Sequence, residues 1–137
     1  MTSLLTKANL VGERGEVPIA AVILDKRGRC IGYGGNRREA MKDPLGHAEL
    51  VALRQASWIN NDWRFNDCTL IVNLEPCPMC AGALIQSRMG KIILPILACI
   101  NATAHIGHGS RFTINVQSLN LQSLFIQEAC RSATNSA

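Results

Sequence analysis

The 137-residue sequence is long enough for one domain with a sizeable core, and we predict a single domain over residues 1–137. Hydrophobic residues make up 47% of the chain and charged residues 18%, a composition that excludes an intrinsically disordered protein. No apolar run approaches the roughly 20 residues of a membrane span, and the N-terminus lacks the apolar core of a secretory signal, so we predict a cytoplasmic protein with no membrane partner.

The charge and the cysteines each allow more than one interpretation. A formal net charge of +4 fits an anionic partner such as nucleic acid, and it also fits a solvated surface with a margin for solubility. The six cysteines could pair as three disulfides. Because we predict a cytoplasmic protein, thiols or metal ligands are favoured over disulfides.

Predicted strands and helices alternate along the first half of the chain. Apolar runs at residues 17–24 and 29–36 are separated by DKRG, which predicts a β-hairpin with its turn at residues 25–28. A polar loop is predicted at residues 37–44. The segment HAELVALRQASWI contains helix formers and no glycine or proline, so it predicts a helix that begins near His47.

The second half continues this alternation. The run CTLIVNL at residues 68–74 predicts a buried strand, and PMCAGALIQSR, from residue 78, predicts a second helix. KIILPIL predicts a further strand, in which Pro95 indicates an edge position or an interruption. The segment RFTINV predicts a last strand, and a terminal helix is predicted by apolar residues at positions 121, 124, 125 and 129. The alternation indicates an α/β sandwich around a buried sheet.

Two cysteines stand at the start of the second helix, in LEPCPMCAGAL. Cys77 fits the N-cap, and Pro78 fits the first helical position, where its missing N–H costs nothing. Cys80 falls in the first turn, so the helix dipole is expected to favour the thiolate of both cysteines, the form that binds metal. Such a pair is typical of a redox site, a zinc half-site or two core thiols.

His47, at the start of the other helix, would complete a zinc site. Two thiolates and one imidazole give Zn²⁺ three protein ligands and leave its fourth tetrahedral position for water, as in catalytic sites. Glu49 is the candidate acid/base residue for that water. A spacing of two residues on a helix does not by itself bring two side chains together, and a carboxylate in a first helical turn is also favoured by the dipole alone.

The motifs HAE at residues 47–49 and PCPMC at residues 76–80 resemble those of the zinc-dependent cytidine/deoxycytidylate deaminase superfamily. From about residue 16 to residue 93, the chain is similar to bacterial tRNA-specific adenosine deaminases. This resemblance implies a three-layer α/β/α sandwich with a mixed, roughly five-stranded sheet, as in cytidine deaminase. It also implies Zn²⁺ held by His47, Cys77 and Cys80, with Glu49 as the catalytic residue.

The resemblance further implies a substrate and an activity. The Asn36 side chain and the backbone N–H of Ala48 would bind the base, although an asparagine beside glycines is also typical of a turn. The reaction would be hydrolytic deamination of adenosine to inosine in RNA, at the wobble position of a tRNA anticodon. The partner would be tRNA or other single-stranded nucleic acid, and the enzyme would be a homodimer.

Several segments depart from the tRNA adenosine deaminase pattern. The N-terminal helix before Val17 is abbreviated, and LPILACINATAHIGHG stands where a charged segment is usual. His105 and His108 in that segment are predicted to be loop histidines rather than further zinc ligands. Two alternatives therefore stay open: a deaminase of free guanine-, adenine- or cytosine-type compounds or of cytosine in single-stranded nucleic acid, and a zinc-stabilised interaction module without turnover.

Overall fold

The computed structural model describes residues 2–94 of the chain. The predicted last strand and terminal helix, together with Pro95, His105 and His108, lie outside the described residues, and the single domain over residues 1–137 stays a prediction. The elements in chain order are α1 (Thr2–Glu13), β1 (Ala20–Leu24), β2 (Cys30–Gly35), α2 (Arg38–Met41), α3 (Ala48–Asn60), β3 (Thr69–Val72), α4 (Pro78–Gln86) and β4 (Lys91–Ile93).

The described strands form a mixed sheet in the order β2-β1-β3-β4. Strand β1 pairs antiparallel with both neighbours, so that Val22 lies opposite Tyr33 on β2 and opposite Ile71 on β3. Strand β4 runs parallel to β3. The hairpin between β1 and β2 is confirmed, and Asp25 closes its turn because its Oδ1 accepts the backbone N–H groups of Arg27 and Arg29 at 2.8 and 2.9 Å.

Helices cover both faces of this sheet. Leu4 and Ala8 of α1 pack with Val22 and Ile71 on one face. On the other face, alanines and leucines of α3 and α4 form the larger core with β1 and β3, among them Ala52, Ala56, Leu84, Ile23, Leu70 and Val72. The predicted three-layer α/β/α arrangement is therefore confirmed, with four strands in the described part of the chain. None of the helices within residues 2–94 has the length and apolar character that crossing a bilayer requires.

Two predictions about local structure need correction or refinement. The predicted polar loop at residues 37–44 contains the one-turn helix α2. Its residues are helix formers, but it has only one turn, and two of its first amides find acceptors on Glu16, more than 20 residues earlier. The helix before Val17, which was predicted to be abbreviated, is α1, and it has 12 residues.

Glycines on β2 allow α3 to lie unusually close to the sheet. A Cβ atom added at Gly34 would lie 2.7 Å from the backbone nitrogen of Ala52 and would also clash with the carbonyl oxygen of Ala48. One added at Gly32 would lie 2.8 Å from the Cβ of Ala56. The missing side chains therefore set the distance between β2 and α3 from Ala48 to Ala56.

Replacing Gly34 by alanine is expected to lower the free energy of unfolding by about 1–3 kcal/mol, because the added methyl group overpacks against helix backbone that cannot move aside. Chemical denaturation measures the change. The control is Gly82→Ala on α4, where an added Cβ meets nothing within 4 Å and alanine should stabilise the helix by up to about 1 kcal/mol. Equal midpoints for Gly34→Ala and the wild type would contradict the packing described here.

Candidate metal centre and active site

The candidate site lies where two helices begin on the same face of the sheet. His47 is the N-cap of α3 and Cys77 is the N-cap of α4, both with extended backbone dihedral angles, and Pro78 occupies the first turn of α4 as predicted. Neither N-cap side chain makes a capping hydrogen bond to a backbone N–H of its own helix. Both side chains are therefore available to other partners, and Nδ1 of His47 lies close to the sulfur atoms of both cysteines.

These two helix starts bring three metal-binding atoms together. The Sγ atoms of Cys77 and Cys80 lie 3.6 and 3.5 Å from Nδ1 of His47. In a tetrahedral zinc site with Zn–S near 2.3 Å and Zn–N near 2.0–2.1 Å, sulfur and nitrogen are about 3.6 Å apart. Within residues 2–94, His47, Cys77 and Cys80 are the one group of three or more such residues close enough to share an ion. The donor set and its spacing fit zinc, which favours a metal site over a redox pair.

The pKa of the Cys80 thiol is shifted in the direction opposite to the one that the sequence predicts. Burial raises the pKa of the Cys80 thiol well above its usual range, and the negative charge of Glu49 and contacts with Cys77 add to this increase. Cys80 has no exposed surface, so the loss of hydration outweighs the predicted effect of the helix dipole. A bound divalent cation stabilises a coordinating thiolate directly, and so the thiolate at Cys80 depends on the metal rather than on the helix.

The carboxylate of Glu49 lies beside this donor group. Glu49 is 4% exposed, and its negative charge lies near enough to the Cys80 thiol to raise the pKa of that thiol. His47 and Glu49 share one site despite their spacing of two because His47 is the extended N-cap rather than a helical residue. The helical rotation that separates positions i and i+2 therefore does not apply to this pair. The catalytic role of Glu49 stays a prediction.

Asn36 and Ala48, the two predicted base-binding residues, are both buried. Asn36 is 6% exposed, and its Oδ1 atom has no hydrogen-bond partner among the described residues. A buried acceptor without a partner costs about 1–3 kcal/mol, which a donor on a ligand would recover. Ala48 is 1% exposed and is the first residue of α3, so its N–H is one of those that no acceptor within the helix takes. Their roles in binding stay predictions.

Two polar residues that connect distant parts of the chain were missed from the sequence. Asn73 joins the end of β3 to the start of β1: its Oδ1 accepts the Ala20 N–H at 2.8 Å, and its Nδ2 donates to the Pro18 carbonyl at 2.9 Å. Glu16 accepts two backbone N–H groups of α2. Their partners lie 23 to 55 residues away in the chain, so no local pattern could have identified them.

Comparisons with known proteins agree with this site. The family model for the cytidine and deoxycytidylate deaminase zinc-binding region matches residues 1–96. A tRNA-specific adenosine deaminase of Bacillus subtilis is 40% identical over 93 residues, which are 68% of this chain and 57% of that protein. A tRNA(Ile)-lysidine synthase of Deinococcus radiodurans is 44% identical over 93 residues, which are 68% of this chain and 16% of that protein.

Solved structures show the same likeness. One from a study of A-to-I editing by tRNA:A34 deaminases at the wobble position of transfer RNA has a TM-score of 0.66 and 38% identity, over 69% of this chain and 72% of that chain. A guanine deaminase from Nitrosomonas europaea has a TM-score of 0.63 and 26% identity, over 69% of this chain and 55% of that chain.

These matches differ in how much of each relative they include. For seven of the curated relatives that it matches, the chain spans between 7% and 61% of their length. The family model, in contrast, covers the described part of this chain and all three donors. The chain therefore belongs to the family of the cytidine and deoxycytidylate deaminase zinc-binding region.

Proposed function

We propose that this protein is a zinc-dependent hydrolytic deaminase that converts adenosine to inosine in RNA, at the wobble position of a tRNA anticodon. The observation that carries the proposal is the group formed by His47, Cys77 and Cys80, with the buried carboxylate of Glu49 against it. The names of the tRNA-specific relatives support the choice of RNA as substrate.

Each residue of the site has a part in the proposed reaction. Zinc held by the three donors would supply a water whose pKa is lowered to about 7, so that a nucleophile is available at neutral pH. Glu49 would take the proton of that water and deliver it to the ring and to the leaving amine. In the net reaction, one water molecule would replace the amine: its oxygen would become the carbonyl oxygen on the ring carbon, the C–N bond would break, and ammonia would leave.

Asn36 and Ala48 would hold the nucleotide during this reaction. The buried Oδ1 of Asn36 would accept a hydrogen bond from an amino or hydroxyl group of the nucleotide, and the Ala48 N–H would orient the edge of the base. In a single-stranded loop the target base leaves its stack at low cost, and this favours an anticodon loop over a duplex.

The second candidate is a deaminase of a free nucleobase or nucleoside, which the likeness to a guanine deaminase favours. Zinc-loaded protein would be assayed for ammonia and inosine with an anticodon stem-loop that carries adenosine at the wobble position. The same stem-loop with guanosine there is the matched control, and free adenine, guanine, cytosine and their nucleosides complete the panel.

We expect one inosine for each ammonia from the wobble adenosine, and RNA binding that weakens steeply as salt is raised. Ammonia from free guanine but not from RNA would replace the proposal by the second candidate. No ammonia from any substrate would favour the zinc-stabilised module without turnover.

We also propose that the protein is a homodimer and that it is located in the cytoplasm. Large apolar side chains such as Trp58 and Met41 are 86% and 62% exposed in the single chain, and a second copy would remove apolar surface from water in a homodimer. Cys77 and Cys80 are free cysteines, and a reducing cytoplasm would keep them available for zinc. Light scattering of the purified protein tests the dimer, which a monomeric mass would contradict.

A further inference from the structure

A closed loop joins the predicted base-binding residue Asn36 to the metal-binding residue His47. Its two ends are held together, because the Arg37 N–H donates to the Gly46 carbonyl at 2.9 Å. Inside the loop, the Gly46 N–H donates to the Asp43 carbonyl at 2.9 Å, and the Asp43 N–H donates to the Arg38 carbonyl at 3.1 Å. The position of this loop therefore controls where Asn36 lies relative to His47.

Glu16 attaches this loop to the body of the protein. Its Oε1 accepts the Ala40 N–H at 2.9 Å and its Oε2 accepts the Glu39 N–H at 3.3 Å. Both amides belong to the first turn of α2, where a helix offers no acceptors of its own. Glu16 is only 8% exposed, so water does not replace these bonds easily.

The segment that contains Glu16 also holds Asn36 directly. The Ile19 carbonyl, three residues after Glu16, accepts the Asn36 N–H at 3.0 Å. Residues 16–19 therefore accept hydrogen bonds from the chain at two places, one at Asn36 and one at α2. These hydrogen bonds restrict the movement of the backbone between Asn36 and α2.

We infer that Glu16 is a positioning residue for the proposed reaction, which fixes the Asn36 amide relative to His47 and Glu49 through α2. The expected loss of activity rests on the proposed function. The expected change in the position of the loop rests on the hydrogen bonds alone. Among the described residues, the hydrogen bonds of the Glu16 side chain go to α2, so its effect on the donor group would pass through Asn36.

The two acceptor oxygens explain why a carboxylate is needed at this position. Glutamine has nearly the same shape, but it offers one acceptor oxygen and an NH₂ group that would face a backbone N–H. Glu16→Gln therefore loses one of the two bonds and sets two donors against each other in a buried place. The matched control is Glu39→Gln on α2, which removes the same charge from the same loop at an exposed side chain.

The test combines kinetics with amide hydrogen exchange. Variants Glu16→Gln, Asn36→Ala and their double variant are compared with Glu39→Gln and the wild type, using the stem-loop substrate. Zinc content and the unfolding midpoint are measured for each protein. Hydrogen exchange at the amides of Asn36, Glu39 and Ala40 reports the loop position without any need for turnover.

We expect Glu16→Gln to lower kcat/KM about tenfold with unchanged zinc content, and the double variant to stay within about twofold of Asn36→Ala, because both changes act through one side chain. Protection of the three amides, relative to their intrinsic exchange rates, should fall in Glu16→Gln and stay unchanged in Glu39→Gln. Additive kinetic losses, or exchange equal to that of the wild type, would overturn the inference. If the wild type deaminates nothing, the proposed function fails, and the exchange rates alone decide for or against Glu16.

Discussion

Replacing Glu49 by glutamine is expected to lower kcat on the RNA substrate between about 100-fold and 10,000-fold, which is the range that general acid–base catalysis contributes. Glutamine fills the same buried space but cannot take a proton from water and return it to the leaving amine. Because none of the three donor atoms is altered, the variant should keep its zinc. Rapid-quench measurement of inosine formation, together with elemental analysis, checks both statements.

The control for this experiment is Glu13→Gln, which makes the same chemical change at an exposed position on α1. We expect it to retain the wild-type rate. Unchanged turnover in Glu49→Gln would remove this residue from the mechanism. Loss of both zinc and activity in that variant would assign Glu49 a role in the metal site instead.

Replacing Cys80 by serine is expected to reduce the zinc content from about one ion per chain to close to none, because a structural or catalytic zinc site with these ligands needs its thiolates. The Cys80 sulfur is fully buried and lies 3.5 Å from Nδ1 of His47, so a neighbouring residue cannot easily take its place. Elemental analysis of protein purified without chelators measures the content.

The stability of the same variant gives an independent measurement. Zinc at 100 times its dissociation constant stabilises the folded protein by about 2.7 kcal/mol, so the thermal midpoint of the wild type should rise with added zinc and that of Cys80→Ser should not. Cys30→Ser, which changes a cysteine outside the donor group, is the control and should respond like the wild type. A full equivalent of zinc in Cys80→Ser would contradict the proposed ligand set.

Local patterns were sufficient to predict most elements of the described region. The DKRG turn, the helix formers after His47 and the Cys77–Pro78 helix start each act within a few residues, and each was confirmed. Helix α2 was missed although its residues are helix formers, because a single turn is too short to give a periodic pattern and two of its amides bond to the distant Glu16. The pKa of Cys80 was expected in the wrong direction, because burial depends on every element packed around it.

The sequence by itself determined which donors are present, where α3 and α4 begin, and that a carboxylate follows the histidine by two residues. Only the tertiary structure decided that His47 and Cys77, 30 residues apart, meet within 3.6 Å and that Glu49 faces Cys80. The physical reason is the separation along the chain over which each interaction acts. Turns, caps and helix propensity act between near neighbours, whereas the distance between two helix starts depends on strand order and on the close packing of α3 against Gly34.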